Sequence, residues 1–112
     1  MLRFKPEVRI RIHTAQLAGM LYWAAMWSEQ SRVDVEINSI NDGDTIHQKD
    51  SLHGYDLAVD LDTVGDKLDD LRRLSQFLRR VLDPQHDVVF EGDHVHVEWD
   101  ARRGKAVIPP AK

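Results

Sequence analysis

Residues 55–84 read YDLAVDLDTVGDKLDDLRRLSQFLRRVLDP, and two different periods follow one another within them. From Tyr55 to Leu61, the apolar Leu57, Val59 and Leu61 alternate with Asp56, Ala58 and Asp60, the two-residue period of a half-exposed strand. Gly65 and Asp66 then start a helix whose apolar stripe is Leu68, Leu71, Leu74, Phe77, Leu78, Val81 and Leu82. Lys67, Asp69, Asp70, Arg72, Arg73, Arg79 and Arg80 form its solvated side, and Asp83-Pro84 stops it.

Upstream, Leu17, Met20, Leu21, Ala24 and Trp27 recur three and four apart, which predicts a helix from about Thr14 to Gln30 with Thr14 as its N-cap. This stretch has no charge on any side from Thr14 to Ser28, so the helix is expected to be largely buried, with Trp23 and Trp27 as core. Val33, Val35 and Ile37 alternate with Asp34, Glu36 and Asn38 as a strand, and Asn41-Asp42-Gly43-Asp44 reads as a turn opening a polar loop to about Asp50. Downstream, Val88 to Phe90 reads as a short strand. His94 to Trp99 reads as another, with Val95, Val97 and Trp99 on one side and His94, His96 and Glu98 on the other. Two main helices on a small, mostly antiparallel sheet make the class α+β. No repeat or linker divides the chain: residues 1–101 are expected to form one domain, and 102–112, with Arg102, Arg103, Lys105 and Pro109-Pro110, a basic flexible tail.

The 112 residues suit a single hydrophobic core. The net charge of −4 argues against general nucleic-acid binding, which favours a basic face. The 15 uncharged residues from Thr14 to Ser28 are too few to span a bilayer, and no signal-peptide cleavage pattern accompanies them. Synthesis in the cytosol is the expectation, with any role outside needing a separate release route. There are six histidines and no cysteine, so disulfides, thiolate metal sites and thiol nucleophiles are excluded, and any metal must be held by imidazole and carboxylate.

Two segments supply such groups. Ser51-Leu52-His53 is followed seven residues after the histidine by Asp60 on a strand, and Glu91-Gly92-Asp93-His94-Val95-His96 lies some thirty residues further on. Two imidazoles and a carboxylate suit a zinc site with an open fourth position, and Glu91, three residues before His94, is placed to serve as a general base. His13 and His86 flank helices and read as surface or capping residues, and His47 falls in the polar loop.

The pattern Ser-x-His-x-x-x-x-Ala-x-Asp, here Ser51, His53, Ala58 and Asp60, followed by Glu-x-x-His, here Glu91 and His94, resembles the zinc D-alanyl-D-alanine peptidase family. The family includes D,D-carboxypeptidases, D,D-dipeptidases and phage L-alanyl-D-glutamate endopeptidases, and the resemblance covers roughly residues 33 to 99. It implies a hedgehog/DD-peptidase fold, Zn²⁺ held by His53, Asp60 and His94, and Glu91 as catalytic base. Peptidoglycan stem peptides would be the substrate, with no nucleic acid or membrane partner. Related zinc peptidases with a His-x-His pair use the second histidine, and in that register His96 binds the metal and His94 assists. Ser51, His47 and His96 are the candidates for holding substrate or supporting the ligands.

Two features depart from the family. Asp56 stands where glycine is common, and no arginine lies between Val33 and His53, leaving Lys49 or His47 in its place. Single-domain size suits a phage or prophage lytic enzyme released by a holin or carried by a virion. The alternative is a non-catalytic zinc-binding structural or interaction domain of the same fold.

Overall fold

The computed structural model describes residues 1–8, 12, 14–42, 57–65 and 67–99. Among them the element order is β1 (Leu2–Phe4), α1 (Ala15–Ser31), β2 (Val35–Asp42), β3 (Leu57–Thr63), α2 (Lys67–Val81), β4 (His86–Phe90) and β5 (Val95–Trp99). The strands form one sheet in the order β1-β2-β3-β5-β4, with β1 parallel to β2 and every other pair antiparallel. The architecture is α+β, as the two periods predict.

Alternation decides which face of the sheet is covered. Val35, Ile37, Val59, Leu61, Val95 and Val97 are almost completely buried, and α1 and α2 pack over them through Leu17, Met20, Ala24, Leu71, Leu74 and Leu78. Phe77 meets Trp23 edge-on with ring centroids 6.1 Å apart, joining the helices above the sheet. Trp27 is buried, and Trp23 and Trp99 pack against the core, in keeping with their positions in the two apolar patterns. Among the described residues, no helix is long and apolar enough to cross a membrane.

Local chemistry explains the element ends. Thr14 caps α1, its Oγ1 accepting the Leu17 N–H at 3.2 Å. At the other end Arg32 takes the left-handed conformation, φ 63° and ψ 29°, and its N–H donates to the Ser28 carbonyl. A Cβ makes that conformation costly, so Arg32→Gly is expected to raise unfolding free energy by about 0.5–1 kcal/mol. An upward shift of the urea midpoint at unchanged slope is the readout. Beyond α2, Asp83 Oδ1 accepts the Gln85 N–H at 2.9 Å and the His86 Nδ1–H at 3.0 Å, closing the turn into β4.

Several expectations need correction. β1 is a strand that no alternation announces: three residues are held by parallel pairing of Leu2, Arg3 and Phe4 with Val35, Glu36 and Ile37. Asn41 and Asp42 belong to β2, paired with Ala58 and Leu57, because the ladder continues past the polar residues. β3 extends to Thr63, and β4 begins at His86, where it pairs with Trp99. Leu68 is 58% exposed, since it lies in the first turn of α2 beyond the sheet's cover. His86 is not a surface residue: its side chain is 7% exposed, and Nε2 is buried without a hydrogen-bond partner. α1, without charge as far as Ser28, is not buried all round, and Ala15, Ala18 and Tyr22 are exposed. The predicted loop through Asp50 from Gly43 onward, the residues Tyr55 and Asp56, His13 and the predicted tail lie outside the described residues.

Candidate metal and catalytic site

The face of the sheet opposite the two helices carries the chemistry. Asp60 sits mid-strand in β3 between buried Val59 and Leu61, so its carboxylate is presented on the outer face. The β3–β5 register sets His96 directly opposite it. His96 Nδ1 donates to Asp60 Oδ1 at 2.7 Å, and His96 Nε2 lies 3.1 Å from Glu98 Oε1. Both ring nitrogens therefore face carboxylates, an arrangement that favours the imidazolium. Burial pulls the His96 pKa down, but the hydrogen bonds and charges of Asp60 and Glu98 outweigh it and the net shift is upward.

His94 and Glu91 come from the β4–β5 turn. The Glu91 N–H donates to the His94 carbonyl at 2.9 Å, and Gly92, at φ 94°, makes the reversal that places the Glu91 and His94 side chains together. His94 Nε2 lies 3.5 Å from Glu91 Oε1 and 3.9 Å from Asp60 Oδ1. Its other nitrogen, Nδ1, donates to Asp93 Oδ1 at 2.6 Å. That hydrogen bond raises the His94 pKa; partial burial opposes it, and the charges of Asp60, Asp93 and Glu91 add to it.

Asp60 has a third neighbour that alternation conceals. Continuing Val33, Val35, Ile37 places residue 39 on the covered face. The β2–β3 register shifts between Ile37 and Ser39, however, so Ser39 pairs with Asp60 and Ile40 with Val59. The Ser39 hydroxyl then donates to Asp60 Oδ2 at 2.9 Å, while Ile40 packs against the core. The signal was present as a broken period: an apolar Ile40 out of phase with the preceding valines. Beside Ser39 opens a cleft of about 390 Å³ lined by Lys5, Glu7, Val8, Asn38, Ser39 and Ile40.

Thus Asp60, Glu91, His94 and His96, from segments some thirty residues apart, form a chain of contacts in which Asp60 meets His96 and approaches His94, and His94 approaches Glu91, with Ser39, Asp93 and Glu98 attached to it. Ser51, His53, His47 and Lys49 lie outside the described residues. Among the described residues no three of the His, Asp and Glu side chains form a ready-made metal cage. The donor chemistry nevertheless suits zinc. Two ligands each about 2.1 Å from a tetrahedral ion are about 3.4 Å apart. The 3.9 Å between His94 Nε2 and Asp60 Oδ1 needs only a small side-chain adjustment to reach that value.

The two raised histidines set a pH dependence. Groups whose folded pKa lies above the ordinary 6.5 stabilise the fold fully below that pH and lose their contribution as pH rises through the folded values. With a chelator present, the urea midpoint is expected to fall as pH rises above 6.5. In His96→Gln that fall is expected to shrink, and an unchanged profile would remove His96 as its source.

No protein-family model, curated protein or solved structure matches the chain.

Proposed function

We propose that the protein is a zinc peptidase that hydrolyses peptide bonds in bacterial peptidoglycan stem peptides, with the hedgehog/DD-peptidase fold and a phage or prophage lytic role. The observation that carries this reading is the approach of Asp60, His94 and Glu91, two of them from one hairpin turn and the third from a neighbouring strand. His53, Asp60 and His94 would hold Zn²⁺. When bound, the ion supplies a Lewis acid for the scissile carbonyl and makes water a stronger acid. Glu91 accepts the proton of the attacking water and passes it to the leaving amine.

The partners of each histidine favour His94 over His96 as third ligand. Asp93 holds the His94 Nδ1–H, so Nε2 is the nitrogen turned toward Asp60 and Glu91, and on giving up its proton it would complete a carboxylate–imidazole–metal arrangement. His96 has a carboxylate on each nitrogen and serves to hold Asp60 in place, as Ser39 does from the other oxygen. The cleft beside Ser39 has room for a short peptide segment, with Lys5 as a cation among the described residues that line it.

The test uses purified peptidoglycan of several wall types. Zinc-loaded protein is expected to release new amino termini, and a chelator to stop the release. Release from no wall type would end the peptidase reading. Metal-dependent thermal stability without hydrolysis would assign the same groups to a structural zinc domain.

A further inference from the structure

α2 sets Arg73, Gln76, Phe77 and Arg80 at the i, i+3, i+4, i+7 spacing of a single helix face. That face meets the end of α1, and between the two helices lies a cleft of about 330 Å³ with Trp27, Gln30 and Ser31 on its other wall. The chain carries 19 acidic against 15 basic residues, yet among the described residues this cleft is lined by two arginines and no carboxylate. Both helices cover the apolar face of the sheet, so the cleft lies across the sheet from Asp60 and His94 and is separate from the zinc site.

We propose that this cleft is a second binding site, for a small molecule that carries an oxyanion, a carboxylate or a phosphate ester, on a flat apolar body. The guanidinium carbon of Arg80 lies 5.7 Å from the centre of the Phe77 ring. This cation–π contact holds the side chain beside the cleft and uses none of its N–H donors. Among the described residues no carboxylate pairs with Arg80. Arg73 Nη2 donates to Asp69 Oδ2 at 2.9 Å, which steadies Arg73 and leaves its other donors unused. A guanidinium fork with free N–H edges is the group best matched to carboxylate and phosphate oxygens.

The remaining lining sets the rest of the ligand. Gln30 and Gln76 add side-chain amides, and Ser31, whose Oγ accepts the Val33 N–H at 3.3 Å, keeps its hydroxyl proton to donate. Trp27 and Phe77 give the cleft an aromatic floor. The volume falls in the range of small-molecule sites, and a bare ion would leave most of it empty. Orientation follows from the helix ends. Gln30 and Ser31 lie in the last turn of α1, which has no basic residue to match its partial negative charge, so the oxyanion belongs beside the arginines of α2 and the apolar body toward α1.

NMR titration of the isotope-labelled full chain with phenyl phosphate and with benzoate tests the proposal. Saturable shifts confined to residues 27–31 and 73–80 are expected, and the tighter of the two probes identifies the oxyanion that the site takes. Benzamide, which lacks the charge, and inorganic phosphate, which lacks the body, should each bind about tenfold or more weakly. Arg80→Gln should weaken binding by a similar factor with the fold unchanged, because Arg80 is exposed and glutamine favours a helix nearly as well. Arg72→Gln removes an exposed arginine of the same helix that does not line the cleft, and should bind like wild type. Saturation by neither probe overturns the proposal. So does an equal loss in Arg72→Gln and Arg80→Gln, which would reduce the effect to general attraction by a basic helix, or inorganic phosphate binding as tightly as phenyl phosphate.

Discussion

Glu91→Gln is expected to lower the hydrolysis of purified peptidoglycan by about 100- to 10,000-fold, the range that a positioned general base contributes, while bound zinc stays at the wild-type level. The substitution keeps the size and the backbone of the residue, and the Glu91 N–H bond to the His94 carbonyl that closes the turn is untouched. The side chain is nearly half exposed, so losing its charge leaves no buried group unpaired. What disappears is the one carboxylate 3.5 Å from His94 Nε2 that the proposed metal set leaves free to take a proton. Zinc analysis and the rate of amino-terminus release, measured on the same preparation, separate catalysis from metal binding. Wild-type hydrolysis by this variant would remove Glu91 from the role of base.

Asp60→Ala is expected to weaken zinc binding more than 100-fold, beyond the 10- to 100-fold typical of losing a group that only supports a ligand. The carboxylate accepts from Ser39 on one oxygen and from His96 on the other, so its removal also releases both neighbours. Thermal melting with zinc and with a chelator gives the readout. Wild type should melt higher with zinc, and the two curves of the variant should nearly coincide. His94→Ala and His96→Ala extend the experiment. On the proposed ligand set His94→Ala also loses the zinc-induced shift, whereas His96→Ala keeps most of it. The reverse pattern would move the third ligand to His96.

Wherever a single buried side or a local signal specified an element, the sequence was legible. α2 follows its apolar stripe and ends at Asp83-Pro84, α1 starts at its Thr14 cap, and β3 and β5 follow strict alternation. The β2 bulge was less legible, because a one-residue insertion reverses which face each later side chain takes. Alternation extrapolated through Ile37 therefore puts Ser39 in the core, while the shifted register puts it on Asp60. β1 escaped because three residues have too little pattern of their own and owe their conformation to a non-local partner. The burial of His86 is not legible, because its position next to a helix end carries no information about the strand pairing that encloses it.

By itself the sequence determined the chemical inventory. With six histidines and no cysteine, any metal site must use imidazole and carboxylate, and the spacing of Glu91 and His94 already places them in one turn. Strand order was decided only in three dimensions. β5 lies between β3 and β4 although α2 and β4 separate it from β3 in the chain, and this brings His96 opposite Asp60. Local periodicity records which face of an element seeks cover, and only the packing of distant segments over one core determines which faces meet. For α1 the same packing leaves Ala15, Ala18 and Tyr22 exposed, so what reads as a buried helix is also a surface.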